Sequence, residues 1–600
     1  MGPFTLVDIV MAAIERDASC VAKHKASGAW TEISSKELHQ AVVSLAGTLD
    51  SWGISSGERV AIFSENRPEW AITDFAAVSI GVVDVPIYAT LIAEQAAVIL
   101  KDSGARVLFL STREQFEKFV SIQNAVTVEK VVVFDDVPID DLQKKTNARV
   151  FSWKSLISGA PSGDAGERWR AKARSIQPDD LATLIYTSGT TGTPKGVMLT
   201  HGNIASNMSH SLALFNFVNG DIGISFLPLS HITARHLDYC LYLHGVVVAY
   251  CPHIEELPQA LLEIQPTIIV AVPRVYEKVR EKARSKASSG LKKRILDWAM
   301  NVGEANLQPV LAGKIPSNLS WKLANALVYS KIKAGFGGRG RFFISGGAPL
   351  GYDLARWYAC MSIRIHEGYG LTETSPVIAI NTPVNHRIGT VGMPLPNMEC
   401  RIAEDGEILV RGPAVFHGYW QREQETRDAF ADGWFKTGDI GGIDADGYLS
   451  ITDRKKDLIK TSGGKFIAPQ PIEGKLKANA LVAEAAVLGD RRKFPSVLIA
   501  PQFSALETWA REHGIAFSDR RELIDRRQVK DLYEGIVHEL NQGLAKFEQL
   551  KKVLLVPDEF TIATGEITPS MKLKRKVVEK KYAEQINAMY AEEPAPVMPA

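Results

Sequence analysis

Short apolar runs alternate with amphipathic stretches along most of this chain. Residues 34–50 carry Leu38, Val42, Leu45 and Leu49 on one helical stripe, with Ser35 as a candidate cap. The run Arg59-Val-Ala-Ile-Phe63 then reads as a strand, 69–80 as a helix and 82–85 as a strand. Further strands are predicted at 107–110, 131–134, 182–186, 245–250, 267–272 and 341–345. Strands that alternate with helices predict parallel sheets covered on both faces. Between 276 and 335 the chain turns helical and basic. From 376 to 450 it is rich in Gly, Pro and short β runs, which predicts a small β-barrel or sandwich. The charged stretch 453–460 reads as a linker, and the mixed α/β region beyond it is near the usual size of one domain.

Composition narrows the class. Over 600 residues, 46% are hydrophobic and 23% charged, as in soluble globular chains, which excludes a wholly disordered or fibrous protein. Lys plus Arg number 69 against 68 Asp plus Glu, so the net charge of +1 gives no argument for nucleic acid as a partner. Five widely spread cysteines without a CxxC pair speak against a disulfide scaffold or a structural zinc site. The opening stretch is broken by Asp8 and has no basic n-region, so it is a poor signal peptide, and Leu6 stands where myristoylation wants Ser or Thr. The most apolar runs, 245–251 and 267–272, fall far below the ~20 residues of a membrane span. The expectation is a cytoplasmic chain. Peripheral contact at the inner membrane face stays open, as does the choice of monomer or homodimer. The basic segment 276–294 could touch anionic lipid through Arg280, Lys282 and Arg284, or could be a solvated face.

Candidate chemistry concentrates in four places. The densest is Tyr186-Thr-Ser-Gly-Thr-Thr-Gly-Thr-Pro-Lys-Gly196, directly after an apolar strand. Small hydroxyl residues and glycines leave backbone N–H groups free to face phosphate oxygens, and Lys195 adds charge. It is not a Walker A loop, because Lys195 precedes Gly196 and no Ser or Thr follows the lysine. The bland alternative is a flexible surface loop. Next come Ser345-Gly-Gly-Ala-Pro349 and His366-Glu-Gly-Tyr-Gly-Leu-Thr-Glu-Thr374. There Tyr369 could stack on a base, Thr372 bond a phosphate oxygen and Glu373 ligate Mg²⁺, though alone a Thr-Glu pair is more often a helix cap. Trp434-Phe-Lys-Thr-Gly-Asp439 and Thr452-Asp-Arg-Lys-Lys-Asp457 supply an Asp for ribose hydroxyls and an Arg beside it. Singly these would be a turn and a solvated charge run.

These segments, in this order, resemble the adenylate-forming superfamily of acyl-CoA synthetases, luciferases and peptide-synthetase adenylation domains, over about residues 5–585. The resemblance implies an α/β fold: a large N-terminal domain of two doubly wound sheets plus a small β-barrel, followed by a smaller mobile α+β C-terminal domain. The domains would be 1–452 and 461–600, with 453–460 as hinge and Lys456 at the hinge position. Thr187, Ser188, Gly189, Thr190, Thr191, Gly192 and Lys195 would form the phosphate loop. Gly346, Gly347 and Ala348 would line the adenine slot, bordered by Tyr369 within Glu367, Gly368 and Gly370. Thr372 would meet the α-phosphate, Glu373 the Mg²⁺, and Asp439 and Arg454 the ribose. Pro569-Ser-Met-Lys-Leu-Lys-Arg575 looks like the last family motif, making Lys572 the adenylation lysine. Met571 stands where Gly is common, so Lys574 is the alternative. Gly463 and Gly464 of Ser462-Gly-Gly-Lys465 would approach a coenzyme A tunnel.

Two further segments resemble the long-chain branch. Phe226-Leu-Pro-Leu-Ser-His-Ile-Thr-Ala-Arg235 would place His231 and Arg235 at an acyl pocket, although His231 could equally be a packing histidine. Ala271-Val-Pro-Arg-Val-Tyr-Glu-Lys278 with its helical insertion is also similar to that branch. The implied reaction joins a fatty acid to coenzyme A with ATP and Mg²⁺, through acyl-AMP. The rivals are an adenylate former that serves a carrier protein, a luciferase-like monooxygenase, and a non-catalytic binder.

Overall fold

In the strand Arg59–Phe63, Val60 and Ile62 face one hydrophobic cluster while Ala61 and Phe63 face another. That period-two burial sets the layers. The computed structural model describes residues 4–158, 163–188, 194–287, 289–462, 465–561, 564–567 and 573–591, with the side chains of Ser188 and Leu212 not described, and the counts below refer to these. One sheet runs in the order Gly418–Tyr419, Pro194–Thr200, Leu181–Ser188, Val83–Ile87, Arg59–Phe63, Val107–Leu110, Lys130–Val133 and Arg149–Ser152. From Val83–Ile87 to Arg149–Ser152 its pairs are parallel, whereas Leu181–Ser188 and Pro194–Thr200 form an antiparallel hairpin.

A second, nine-stranded sheet is built on the parallel strands Val247–Tyr250, Ile222–Ser225, Ile268–Ala271, Phe342–Ser345 and Ile365–Gly370. The helices Ser35–Ser51, Pro68–Val78, His201–Ser211 and Ile232–His244 fill the space between the two sheets, sharing one core with their inner faces. Other helices cover each outer face. Unforeseen was the hairpin Ala22–Ala26/Ala29–Ile33, which joins this sheet through Val247–Tyr250. Lys23, His24 and Lys25 break its apolar pattern because it lies at the sheet edge.

The barrel expected over 376–450 is instead an antiparallel five-stranded sheet of Glu399–Ile402, Glu407–Arg411, Trp434–Ile443, Phe430–Ala431 and Leu449–Arg454, not closed among the described residues. Val377–Ile380 and Met393–Pro394 leave that region to extend the nine-stranded sheet. The smaller C-terminal domain has a three-stranded sheet, Val482–Leu488, Ser496–Pro501 and Val553–Leu555, and its own cores. Ser34, not Ser35, caps the helix Ser35–Ser51. It accepts from the Glu37 N–H while the Glu37 carboxylate accepts from the Ser34 N–H, and the Ser35 hydroxyl donates to Ala13 O instead. Among the described residues no helix is long and apolar enough to cross a membrane.

Candidate active site

The hairpin Leu181–Ser188/Pro194–Thr200 places Thr187 opposite Lys195 at its mouth. The tip residues Gly189, Thr190, Thr191 and Gly192 lie outside the described residues. The hairpin is fixed from behind by Asp102, whose carboxylate accepts from the Tyr186 hydroxyl at 2.7 Å and from Arg422 at 2.8 Å. Trp420 donates its backbone N–H to Gly196 O and its indole N–H to Asp102 O. Gly196 allows this approach, since a Cβ there would meet the Tyr186 ring at 3.1 Å and Trp420 at 3.3 Å.

Tyr419, next to that anchor, joins two predicted groups. The Lys195 ammonium lies 5.3 Å from its ring centroid, a cation–π distance, and its hydroxyl donates to Glu373 Oε1 at 2.9 Å. Glu373 itself is held by the backbone, its carbonyl accepting from the Phe416 N–H at 2.8 Å. Asn207, on the helix after the hairpin, donates to the carbonyls of Thr374 and Val377, fixing the C-terminal side of the Thr372–Thr374 turn. Burial raises the Glu373 carboxyl above the usual carboxylate range, with the Tyr419 hydrogen bond opposing.

The strand Ile365–Gly370 of the nine-stranded sheet carries Glu367 and Tyr369. Gly370 permits its bulge, because a Cβ there would come within 1.8 Å of Pro376 O. Tyr369 donates to Asp439 Oδ2 at 2.7 Å, and Arg454 Nε lies 3.1 Å from Asp439 Oδ1. Strand register puts Asp439 directly opposite Arg454. Glu367 accepts from the Leu350 N–H at 3.0 Å, and burial pushes its carboxyl up to about 7. Gly347 has φ +81°, in the left-handed region, and Gly346 follows the strand Phe342–Ser345, with a Cβ there 3.7 Å from Gly368 O. Thr437, Gly438, Arg454, Lys455 and Lys456 line an open cleft beside this pair.

A constellation of this kind, drawn from three sheets, invites comparison with known proteins. The family model described as AMP-binding enzyme matches residues 12–420, and that described as AMP-binding enzyme C-terminal domain matches 456–594. The chain belongs to the AMP-binding enzyme family. Among relatives within it, a long-chain-fatty-acid–CoA ligase of Mycobacterium bovis, FadD15, is 39% identical over 94% of this chain and 93% of its own length. A long-chain-fatty-acid–CoA ligase 1 of Cavia porcellus is 31% identical over 98% and 86%. In fold, the chain is similar to the adenylation domain of a Mycobacterium chelonae carboxylate reductase, with TM-score 0.78, 23% identity, and coverage of 99% and 92%. ATP-bound MatB from Rhodopseudomonas palustris gives TM-score 0.68 at 23% identity, covering 97% and 100%.

Within this AMP-binding enzyme, the structure links Lys195 to Glu373 through Tyr419 and joins Tyr369, Asp439 and Arg454 to one another, while Thr187 pairs with Lys195 in the hairpin and Thr372 directly precedes Glu373. Lys572 and the tunnel candidates Gly463 and Gly464 lie outside the described residues. Lys574 is anchored by its backbone, its N–H donating to Glu566 O, beside the Ile567–Leu573 bridge. Arg575 follows in a buried ion pair with Glu473. Lys456 sits between Arg454 and the C-terminal domain, and the neighbouring Asp453 carboxylate accepts from the Gln470 N–H at 3.0 Å.

Arg235 does not face a cleft. Its guanidinium is 1% exposed and donates to Asp74, Asp84, Thr183 and Tyr239, a clamp that ties the helices Pro68–Val78 and Ile232–His244 to the eight-stranded sheet. Nothing remains for a pocket-facing role, because every guanidinium nitrogen is engaged. His231 is the N-cap of the helix Ile232–His244, with Nδ1 accepting from the Thr233 N–H at 3.1 Å. Asp102, Asn207 and Tyr419 were missed. Their partners lie 46 to 320 residues away, so no local pattern marks them.

Proposed function

We propose that this chain is an ATP-dependent acid–thiol ligase that activates a long-chain fatty acid as acyl-AMP and transfers the acyl group to coenzyme A. The observation that carries the reading is the convergence of Lys195, Tyr419 and Glu373 with Tyr369, Asp439 and Arg454, in a chain whose ligase relatives match almost end to end.

A carboxylate cannot expel oxide, so it must first gain a better leaving group. One carboxylate oxygen bonds to the α-phosphorus of ATP, and the bond from that phosphorus to pyrophosphate breaks. The thiolate of coenzyme A then forms a C–S bond at the acyl carbon, and AMP departs with the carboxylate oxygen. Lys195 and the hairpin backbone hold the phosphates, and Thr372 meets the α-phosphoryl group. Asp439 and Arg454 hold the ribose against Tyr369. Charge developing in flight is met by groups already in place, which need not reorganise.

The site fits Mg²⁺. Glu373 is a half-buried carboxyl that accepts from the Tyr419 hydroxyl at Oε1 and is held above its ordinary range by desolvation, and a divalent cation would offset that cost. When bound, the ion neutralises phosphate charge. Glu373 would be its protein ligand, with substrate phosphates supplying others.

Lys572 completes the first half-reaction in this reading, and the segment 453–460, with Lys456, is the hinge that lets the domains 1–452 and 461–600 reorient for the second. Lys572→Ala should lose adenylation and retain thioester formation from supplied acyl-AMP; the opposite pattern would reverse the assignment. A cytoplasmic enzyme acting at a membrane face, where long-chain acids partition, belongs to the same reading. The direct assay is pyrophosphate release across a ladder of saturated fatty acids, with and without coenzyme A. Turnover that needs both a long-chain acid and the thiol supports the ligase. A single burst unaffected by coenzyme A would mean that the acyl group goes to another acceptor.

A further inference from the structure

The helical insertion after residue 276 carries an unusual distribution of apolar side chains. In the continuous helical stretch 319–334, Trp321, Ala324, Val328, Tyr329 and Ile332 pack into the core beneath the nine-stranded sheet. The opposite face of a soluble helix is normally polar. Here Leu319, Leu323 and Leu327 occupy it at a spacing of four, exposed by 83%, 50% and 40%. The helix Gly290–Ala305 packs beside it, with the Tyr329 hydroxyl donating to Ala299 O, and buries Leu296 and Ala299 in the same core. Its outer stripe presents Leu291, Arg294 and Trp298, and the connecting loop leaves Ile315 exposed.

The charge around these residues has one sign. Between 278 and 334 there are twelve Lys and Arg against three Asp and Glu, in a chain whose net charge is only +1. Of the three, Glu304 is already paired with Arg356. Lys292, Lys293, Arg294, Lys314, Lys322 and Lys331 are exposed and take part in none of the ion pairs among the described residues. Arg280, expected to reach lipid, is 7% exposed and is not part of this face. Leucines turned outward and fringed by unpaired lysines match the two layers of a bilayer surface, acyl chains below anionic headgroups. An acidic protein would satisfy the lysines and leave the leucines unexplained.

We propose that the outer face of 290–334 docks on an anionic lipid bilayer, with Leu319, Leu323 and Leu327 entering the headgroup boundary and Lys322 and Lys331 contacting lipid phosphates. This deepens the reading of the chain as a fatty-acid ligase, and its test is independent of turnover. Sedimentation of the full chain with vesicles of phosphatidylcholine alone, or of phosphatidylcholine and phosphatidylglycerol at three to one, measures partition directly. Binding should require the anionic lipid. L319S/L323S and K322E/K331E should each lower it by about tenfold or more. Both variants alter exposed side chains, so their denaturation midpoints and their ligase activity on detergent-dispersed fatty acid should match the parent. Binding that both variants retain, or no binding to either vesicle, would overturn the proposal. So would a concentration-dependent dimer abolished by L319S/L323S, which would assign the face to a second copy of the chain. Lost ligase activity with intact vesicle binding would count against the ligase reading and leave this one standing.

Discussion

Two arginine–carboxylate clusters differ in a way that separates structure from chemistry. Arg235 with Asp74 and Asp84 lies wholly inside the molecule, and every nitrogen of its guanidinium is taken. Burial pushes both carboxyls up while Arg235 pulls them back, so the cluster stands only as a complete set. Arg454 with Asp439 lies at the edge of an open cleft, half-exposed on the arginine side and bridged to Tyr369. Glu373 beside it accepts from one neutral hydroxyl. Saturated charge ties two helices to one sheet, and charge with spare capacity faces an open cleft. A buried ionic residue within a family motif is therefore no sign by itself that it touches substrate.

Paired substitutions sharpen the contrast most. Glu373→Gln should cost on the order of 10²–10³ in kcat/KM for Mg-ATP while leaving the denaturant midpoint unchanged. Arg235→Met should do the reverse. It strands two buried carboxylates and should lower stability by about 3–5 kcal/mol, with activity per folded molecule largely kept. If Arg235→Met instead raised KM for the fatty acid in a stably folded protein, the clamp would have a substrate role after all.

Tyr419→Phe probes the link between Lys195 and Glu373. The ring under the ammonium remains and only the hydroxyl is lost. That hydroxyl lowers the Glu373 pKa against burial, so its removal raises the pKa further. The ionised carboxylate is the working form. The acid limb of the kcat/KM profile should therefore move to higher pH, with about a tenfold loss near that limb. An unmoved limb with a uniform loss would make Tyr419 a packing residue.

Glu367 extends the contrast to the pH dependence of stability. Its native carboxyl is pushed up to about 7 from an ordinary 4.5, so the folded state holds more protons between those values and stability falls as pH rises through that window. Glu367→Gln keeps an oxygen for the Leu350 N–H and removes the titration. The variant should gain stability over the parent at pH 8 and lose that advantage near pH 4.5, measured as denaturation midpoints.

Legibility in the sequence followed locality. The strands at Arg59–Phe63 and Val107–Leu110 were marked by their own apolar runs, and the motifs around Lys195, Glu373, Asp439 and Arg454 by residue type and order. The helix cap slipped by one residue because Ser34 and Ser35 are chemically alike, and only the reciprocal bond with Glu37 distinguishes them. Asn207, Tyr419 and Asp102 act through partners that the topology supplies. Arg235 was misplaced because its motif continues into a helix whose inner face is core. The outward leucines of 319–327 carry the helical period on both faces, so a reading by period registers a helix without saying which stripe is covered.

In the proposed reaction the carboxylate itself attacks the α-phosphorus. Supplying a long-chain fatty acid labelled with ¹⁸O in its carboxylate, together with Mg-ATP and coenzyme A, tests it by mass spectrometry of the products. One labelled oxygen is expected in AMP and none in pyrophosphate. Label in pyrophosphate or free phosphate, or unlabelled AMP alongside acyl-CoA, would contradict it.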